Sequence, residues 1–463
     1  MKIFRGPVHW QASLQGRNLV ALCEIGTYSD GMGNRSAGSN GTSSTVRDVG
    51  GYASALDLPS VRQLRQQLRE ARALRFLIPR DQRPDLVAIK HQLHHICETV
   101  DTFYQVLGPL NWVFHENLPV DAIAELLTSD GGPEAAEKAF IALYTDQDAL
   151  SLRLQMINKL PALRKRRHLI LKAHEDYAAG RYYACIHMLL SVMDGFVNEF
   201  ETVRRGLHAR QAEDLHAWDS VVGHHMGLAN AHKTFTTGKS ATNDKPVYEL
   251  YRNGIVHGRL LNYDNIVVAT KAWNRLFAVV DWANATLKEK TPPPPRPTMR
   301  QLWQSLSELS RHQQANDAWK PRRLSADEAD FGQEDTTWAT EQFLTAWTQR
   351  NYGRMAQWIS QPIQDKHGAA MPREVRMLYE DRPLSAFRIV TVDHIAPASC
   401  LVDVELYLAD QPNDQAIPAT LRWLHEDDQG DPVSSLLPGQ WRLFCWEPDQ
   451  FIPYPDPKGS SDV

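Results

Sequence analysis

The chain has 463 residues, 43% hydrophobic and 23% charged, the balance of a globular protein too long for one ordinary core. A net charge of −5 and a pI near 6.4 exclude a general basic field, so any nucleic-acid contact must come from local patches. No stretch approaches the roughly 20 apolar residues of a membrane span, and the N-terminus has one early basic cluster without the unbroken apolar run of a signal peptide. The cysteines, Cys23, Cys97, Cys185, Cys400 and Cys445, stand far apart with no CxxC pair. That argues against a zinc ribbon or a disulfide framework and fits a cytoplasmic protein.

In chain order, the N-terminal segment 1–52 holds a short candidate strand at 18–25. Residues 29–52 are almost wholly Gly, Ser, Asn and Thr, too polar to offset their ordering entropy, and predict a mobile loop. A helical region, 53–163, follows. From Pro59, Leu64, Leu68 and Leu74 recur at near-helical spacing, while Arg62, Arg65, Arg69 and Arg72 line another face, read as solvated. Pro79 ends that helix. Further helices are expected at 85–107, 119–128, 133–143 and 147–158, with a turn at Gly108-Pro109-Leu110-Asn111-Trp112.

The block 164–290 is better patterned. Helices at 164–178 and 181–205 are interrupted at Gly180, and Ile186, Leu189, Leu190, Met193, Val197 and Phe200 build one apolar face. A polar loop, 207–243, leads to a helix at 245–257 and, after Gly258, to another at 266–289. The run 291–297, four of its prolines consecutive, predicts a stiff extended boundary. It opens a linker, 291–335, with one marginal helix at 298–312. In the last domain, 336–455, a helix at 337–349 and a short one through Met355 and Trp358 precede period-two strands at 387–395, 402–408, 417–425 and 441–446. The fold class is therefore multidomain: an all-α helical bundle, then a smaller α+β domain with a curved antiparallel sheet and a tail, 456–463.

One string carries chemistry: Tyr251-Arg252-Asn253-Gly254-Ile255-Val256-His257-Gly258. RNA cleavage needs a base for the 2′-OH proton, an acid for the 5′-oxygen and positive charge on the phosphorane. Histidine suits proton transfer at neutral pH, and arginine offers a charged planar fork to phosphate. Five residues of ideal helix turn the chain by about 500°, leaving Arg252 and His257 roughly 140° apart. They converge only where Gly254 and Gly258 loosen or end the helix. The structural reading of the same residues is that His257 caps helix carbonyls and Arg252 pairs with Asp264 or Glu249.

This Arg252-Asn253-x-x-x-His257 string resembles the motif of the HEPN superfamily. Its surroundings do so too: residues 180–200 with the Asp194-Gly195 step, 257–277, and 109–119, so that the resemblance covers roughly 105–290. It implies a helical RNA-handling fold, a homodimer with motifs across a shared cleft, and an endoribonuclease acting by 2′-OH attack. Arg252 would hold phosphate, His257 would act as acid and base, Asn253 would complete the catalytic set by hydrogen-bonding phosphate or holding the histidine, and Asp194 would support them, with no metal or cofactor. The abortive-infection character of the resemblance implies a toxin or phage-defence effector, with RNA as substrate and an antitoxin or regulatory protein as partner. The alternative from another class is a non-catalytic HEPN-fold scaffold recognising a nucleotide, nucleic acid or protein.

Weaker signals accompany these. Arg164, Lys165, Arg166 and Arg167 form a compact basic run, with Arg204, Arg205 and Arg210 beyond the next helix, that could meet RNA phosphates, though a solvated face is the plainer reading. His91 and His95 have metal-compatible spacing, with His94 beside them, but no matched third ligand, and read as surface histidines, as do His224 and His225. Residues 343–360 and 440–446 resemble the cone-shaped fold of nuclear transport factor 2 and polyketide-cyclase relatives. There Asp393, His394 and Asp403 are the polar strand residues that could face a pocket, though edge or solvent positions are the plainer reading.

Overall fold

The computed structural model describes residues 51–74, 84–128, 131–146, 149–150, 153–154, 160–200, 204–290, 299–409 and 416–452. The expected strand at 18–25, the loop at 29–52 apart from Gly51 and Tyr52, the stop at Pro79 and the proline run lie outside them. The chain divides between Ser310 and Arg311 into two compact units.

The first unit is helical. Its helices are α1 (Pro59–Leu74), α2 (Leu86–Val106), α3 (Val120–Thr128), α4 (Gly132–Thr145), α5 (Arg167–Ala178), α6 (Tyr182–Phe200), α7 (Leu228–Thr236), α8 (Arg252–Val256), α9 (Ile266–Lys290) and α10 (Met299–Ala318), the last running past the division. One apolar cluster extends from Ala55 to Leu306, so the segments separated in sequence as 53–163 and 164–290 share a single core.

Helix α9 occupies the middle of that core. Val268, Ala269, Ala272, Trp273, Leu276, Phe277, Val280 and Trp282 are buried around its whole circumference, as expected of a helix with no solvent stripe. Its buried polar side chains must then be met by other segments. Thr270 shares a 2.6 Å hydrogen bond with Tyr177 of α5. Asn274 accepts from the Val113 N–H at 3.0 Å and donates to the Val113 carbonyl at 2.8 Å and to Tyr144 at 3.0 Å. Asp281 accepts from the Glu116 N–H at 2.6 Å, and burial raises its carboxyl well above the usual range.

Two expectations in this unit are corrected. Residues 245–257 do not form one helix: only Arg252–Val256 does. The backbone ahead of it pairs with the chain that returns after Gly258, Asn243 with Arg259 and Leu261, and Val247 with Asn262. Those bonds replace helical ones. The 207–243 segment is not all loop, because Leu228, Ala231 and Phe235 bury one side of the short α7. Elsewhere the described helix ends fall within a few residues of the sequence reading; the second central helix is described through Phe200, and most of the expected helix at 147–158 lies outside the described residues.

The second unit is α+β. Helices α11 (Asp335–Thr348), α12 (Tyr352–Ala356), α13 (Gln361–His367) and α14 (Met371–Tyr379) accompany strands β1 (Arg322–Ser325), β2 (Leu384–Ala396), β3 (Ser399–Leu408), β4 (Ile417–Glu426) and β5 (Gln440–Leu443). The strands form one antiparallel meander in sequence order. Val402, Val404 and Leu406 alternate inward and share a core with Phe343, Leu344 and Trp347 of α11. Register shifts at three places in the β2–β3 ladder are bulges of the kind that bend and twist a sheet. Within 291–335 the expected marginal helix is present as the whole of α10, longer than 298–312, and the segment adds the unexpected β1, which pairs Arg322–Ser325 with β2.

Replacing Asn274 by Ala leaves both backbone groups of Val113 unmet inside the core. The expected loss is about 2–4 kcal/mol of unfolding free energy, measured by urea denaturation. A loss under about 0.5 kcal/mol would show that the clasp contributes nothing.

Candidate active site

Helix α8 is only five residues long and is built to stop. Gly258 takes a left-handed φ of 64° just beyond the cap residue His257, the conformation that ends helices at lowest cost with glycine. Gly254 has a different task. A Cβ there would lie 2.7 Å from the Leu260 side chain, so the glycine lets the returning chain pack against the helix. The two ends of α8 thus carry the two chemical groups, about 7 Å of helix apart.

At the first end, Arg252 is half-buried. Its Nη2 donates to the Asp194 carboxylate of α6 at 2.9 Å, and its Nη1 to the Asn253 side-chain oxygen at 3.3 Å. Its Nε is buried without a partner among the described residues. Asn253 is held in turn, donating from Nδ2 to the Thr236 carbonyl of α7 at 2.7 Å. The other Asp194 oxygen accepts from the His208 backbone at 2.9 Å and lies 3.1 Å from His208 Nδ1. The structure therefore brings Arg252, Asn253 and Asp194 together and adds His208. The pairing of Arg252 with Asp264 or Glu249 is not made: Glu249 bonds Lys271 at 2.6 Å, and Asp264 caps the Tyr183 N–H at 3.2 Å.

At the other end, His257 is exposed. Its backbone N–H bonds the Asn253 carbonyl at 3.2 Å, and its imidazole makes no hydrogen bond or ion pair to any described residue. It makes no contact with Arg252. The two groups stand at opposite ends of a short helix, with no hydrogen bond between them.

The basic run contributes one neighbour. Gly195, next to Asp194, has no Cβ because the Arg166 guanidinium lies where it would be, with Nε 2.6 Å from that position. Arg166 bonds Glu199 at 2.9 Å, and Lys165 pairs with the same carboxylate. These two cations share one carboxylate, so half of their charge is balanced locally. His208 was missed in the sequence because it lies in a single 3-10 turn, Leu207–Ala209, too short to carry a periodic or motif signal; only the fold brings it to Asp194.

Behind the site, His232 of α7 is buried, and its Nε2 lies 3.0 Å from the Arg210 carbonyl. Burial lowers its pKa to about 4, so the neutral ring donates that bond.

The other histidine and acid candidates do not assemble into a site. His95 pairs with Asp121 at 3.1 Å, and His224 stacks on Tyr104. Among the described residues no group of three His, Cys, Asp or Glu side chains could hold a metal ion, and no helix is long and apolar enough to cross a membrane. In the second unit, Asp403 lies on the sheet face opposite Val402 and Val404, accepting from its cross-strand neighbours Thr391 and Thr420 at 2.7 and 2.8 Å. His394 is buried against Glu334 at 2.9 Å, and Asp393 lies 3.8 Å from Arg323. No family model, curated protein or solved structure matches the chain.

Asp194→Ala strands a half-buried guanidinium and is expected to cost about 1–3 kcal/mol at neutral pH, read from the denaturation midpoint; an unchanged midpoint would show the pair to be idle. His232 gives a pH dependence of defined sign. Its folded pKa lies below the 6.5 of an unfolded histidine, so the stability it contributes is complete above pH 6.5 and is lost as pH falls from there through 4. A His232→Gln variant should show a shallower loss of stability over that window than the parent, and an equal slope would contradict the assignment.

Proposed function

We propose that the chain is a HEPN-type endoribonuclease that cleaves RNA through its own 2′-hydroxyl. The observation that supports this best is the arrangement of α8, with a positioned guanidinium at one end and an exposed, unbonded imidazole at the other. In this reading Arg252, steadied by Asp194 and Asn253, faces the scissile phosphate and favours the charge that builds on it. His257 takes the 2′-OH proton as O2′ bonds to phosphorus and the P–O5′ bond breaks. The leaving O5′ takes its proton from an imidazolium, which in a homodimer is that of the second copy's His257. The products are a 2′,3′-cyclic phosphate and a 5′-hydroxyl, and no step calls for a metal or cofactor. Such an enzyme fits a toxin or phage-defence effector restrained by an antitoxin or regulatory protein, with the cone-like α+β unit regulating or dimerising it.

One observation favours a second reading. The Arg252 side chain is only 14% exposed, and its Nη2 already bonds Asp194, as a purely structural ion pair would. A non-catalytic HEPN-fold scaffold would keep that pair and leave His257 idle.

Purified protein incubated with total RNA separates the two. The nuclease reading expects fragments with 2′,3′-cyclic phosphate ends from the wild type and at least a hundredfold slower cleavage by His257→Ala, with the dimer intact. Equal inactivity of both, in a folded dimer, would support the scaffold.

A further inference from the structure

A second feature of the helical unit has no place in the proposed chemistry. Between α1, the start of α2 and α10 lies a groove of about 770 Å³ lined by Arg65, Arg69, Arg72, Lys90, His91 and His94. The three arginines repeat at helical spacing along one face of α1, a row of about 10 Å; the other three groups face them from α2. None of the six makes a hydrogen bond or ion pair to any described residue, whereas Arg62, on the same stripe but not on the groove, pairs with Asp57 at 2.9 Å. The one carboxylate on the lining, Asp85, already accepts from the Val87 and Ala88 N–H groups at the start of α2. Its charge is committed to the helix end.

Four permanent cations and two titratable rings left facing one hollow repel one another, and in a chain of net charge −5 this concentration is local. A chain of phosphates would relieve it by releasing its own counterions. The groove also contains Trp303, half-buried on α10, a helix fixed to this region by the Ser310 hydroxyl accepting from the Asp85 N–H at 3.1 Å. An aromatic face beside a basic row is what stacks an unpaired base while the backbone tracks the charges.

We infer that this groove binds single-stranded RNA, with Arg65, Arg69, Arg72 and Lys90 on phosphates and Trp303 under a base. The choice of RNA over other polyanions rests on the nuclease reading; the groove and its charges, unpaired among the described residues, do not. It gives the arginine stripe of α1 a ligand, beside the 164–167 run in which Lys165 and Arg166 share the Glu199 carboxylate.

The test is fluorescence anisotropy with a fluorescein-labelled single-stranded oligoribonucleotide and full-length protein carrying His257→Ala, so that binding is read without cleavage. Adding Arg65→Glu, Arg69→Glu and Arg72→Glu should weaken binding at least tenfold near 0.1 M salt. It should also reduce the slope of log affinity against log salt by about 2, the share of three phosphate contacts on a single strand. Trp303→Ala should weaken binding roughly tenfold with the slope unchanged, and lysine at all three arginine positions should retain most of the affinity. Independently of any variant, bound RNA should shield Lys90 from acetylation severalfold. Equal affinity of the charge-reversed protein, unshielded Lys90, or binding to phosphatidylserine vesicles or heparin but not to RNA would overturn the inference. Failure of the nuclease reading looks different: a chain that binds RNA through Arg65, Arg69 and Arg72 yet never cuts it.

Discussion

The helical unit depends on one constraint: α9 is buried on every side yet carries polar groups that are costly to leave unmet. Four of them recruit a separate stretch of chain each, while Arg275, also buried, finds no partner for its Nε and Nη1 among the described residues. Thr270 takes Tyr177 of α5, Asn274 takes the backbone at Val113, and Asp281 takes the N–H of Glu116. Lys271, nearly excluded from solvent, takes Glu249. Apolar burial supplies most of the favourable free energy, but it is non-directional. The polar clasps decide which segment lies where.

That last clasp matters for chemistry. Glu249 lies just ahead of the motif, and the Asn265 amide holds the Val247 carbonyl at 2.9 Å. Together with the backbone pairing of Asn243 and Val247 to the returning chain, these bonds hold the segment out of helical form until Tyr251. Helix α8 is therefore short because both of its flanks are tied to α9 and to each other. The helix begins at Arg252, whose side chain reaches Asp194, and Gly258 ends it so that His257 lies at an open end.

Much of the architecture was legible in the sequence where apolar periodicity was long. Helices α2, α6 and α9 and strands β3 and β4 announce themselves through runs such as Ile186–Phe200 or Val402–Leu408. The order of helical bundle and then α+β unit follows from where period 3.6 gives way to period 2. What stayed hidden depends on contacts distant in sequence. Helix α7 is too short to show a pattern, β1 is a strand only because β2 pairs with it, and His208 is beside Asp194 only once the loop after α6 folds back. The Arg252–Asp194 pair lay half in view: both residues were singled out, but nothing in their spacing of 58 positions says that they meet.

The central claim is that a guanidinium and an imidazole at opposite ends of one short helix serve the same ligand. NMR of the Arg252 Nε–H and the His257 ring, recorded as a non-cleavable 2′-O-methyl oligoribonucleotide is added, reads both ends at once. The account expects the two signals to shift together along one saturating binding curve. Saturation of the protein with both signals unmoved, or with only one of them moving, would contradict it.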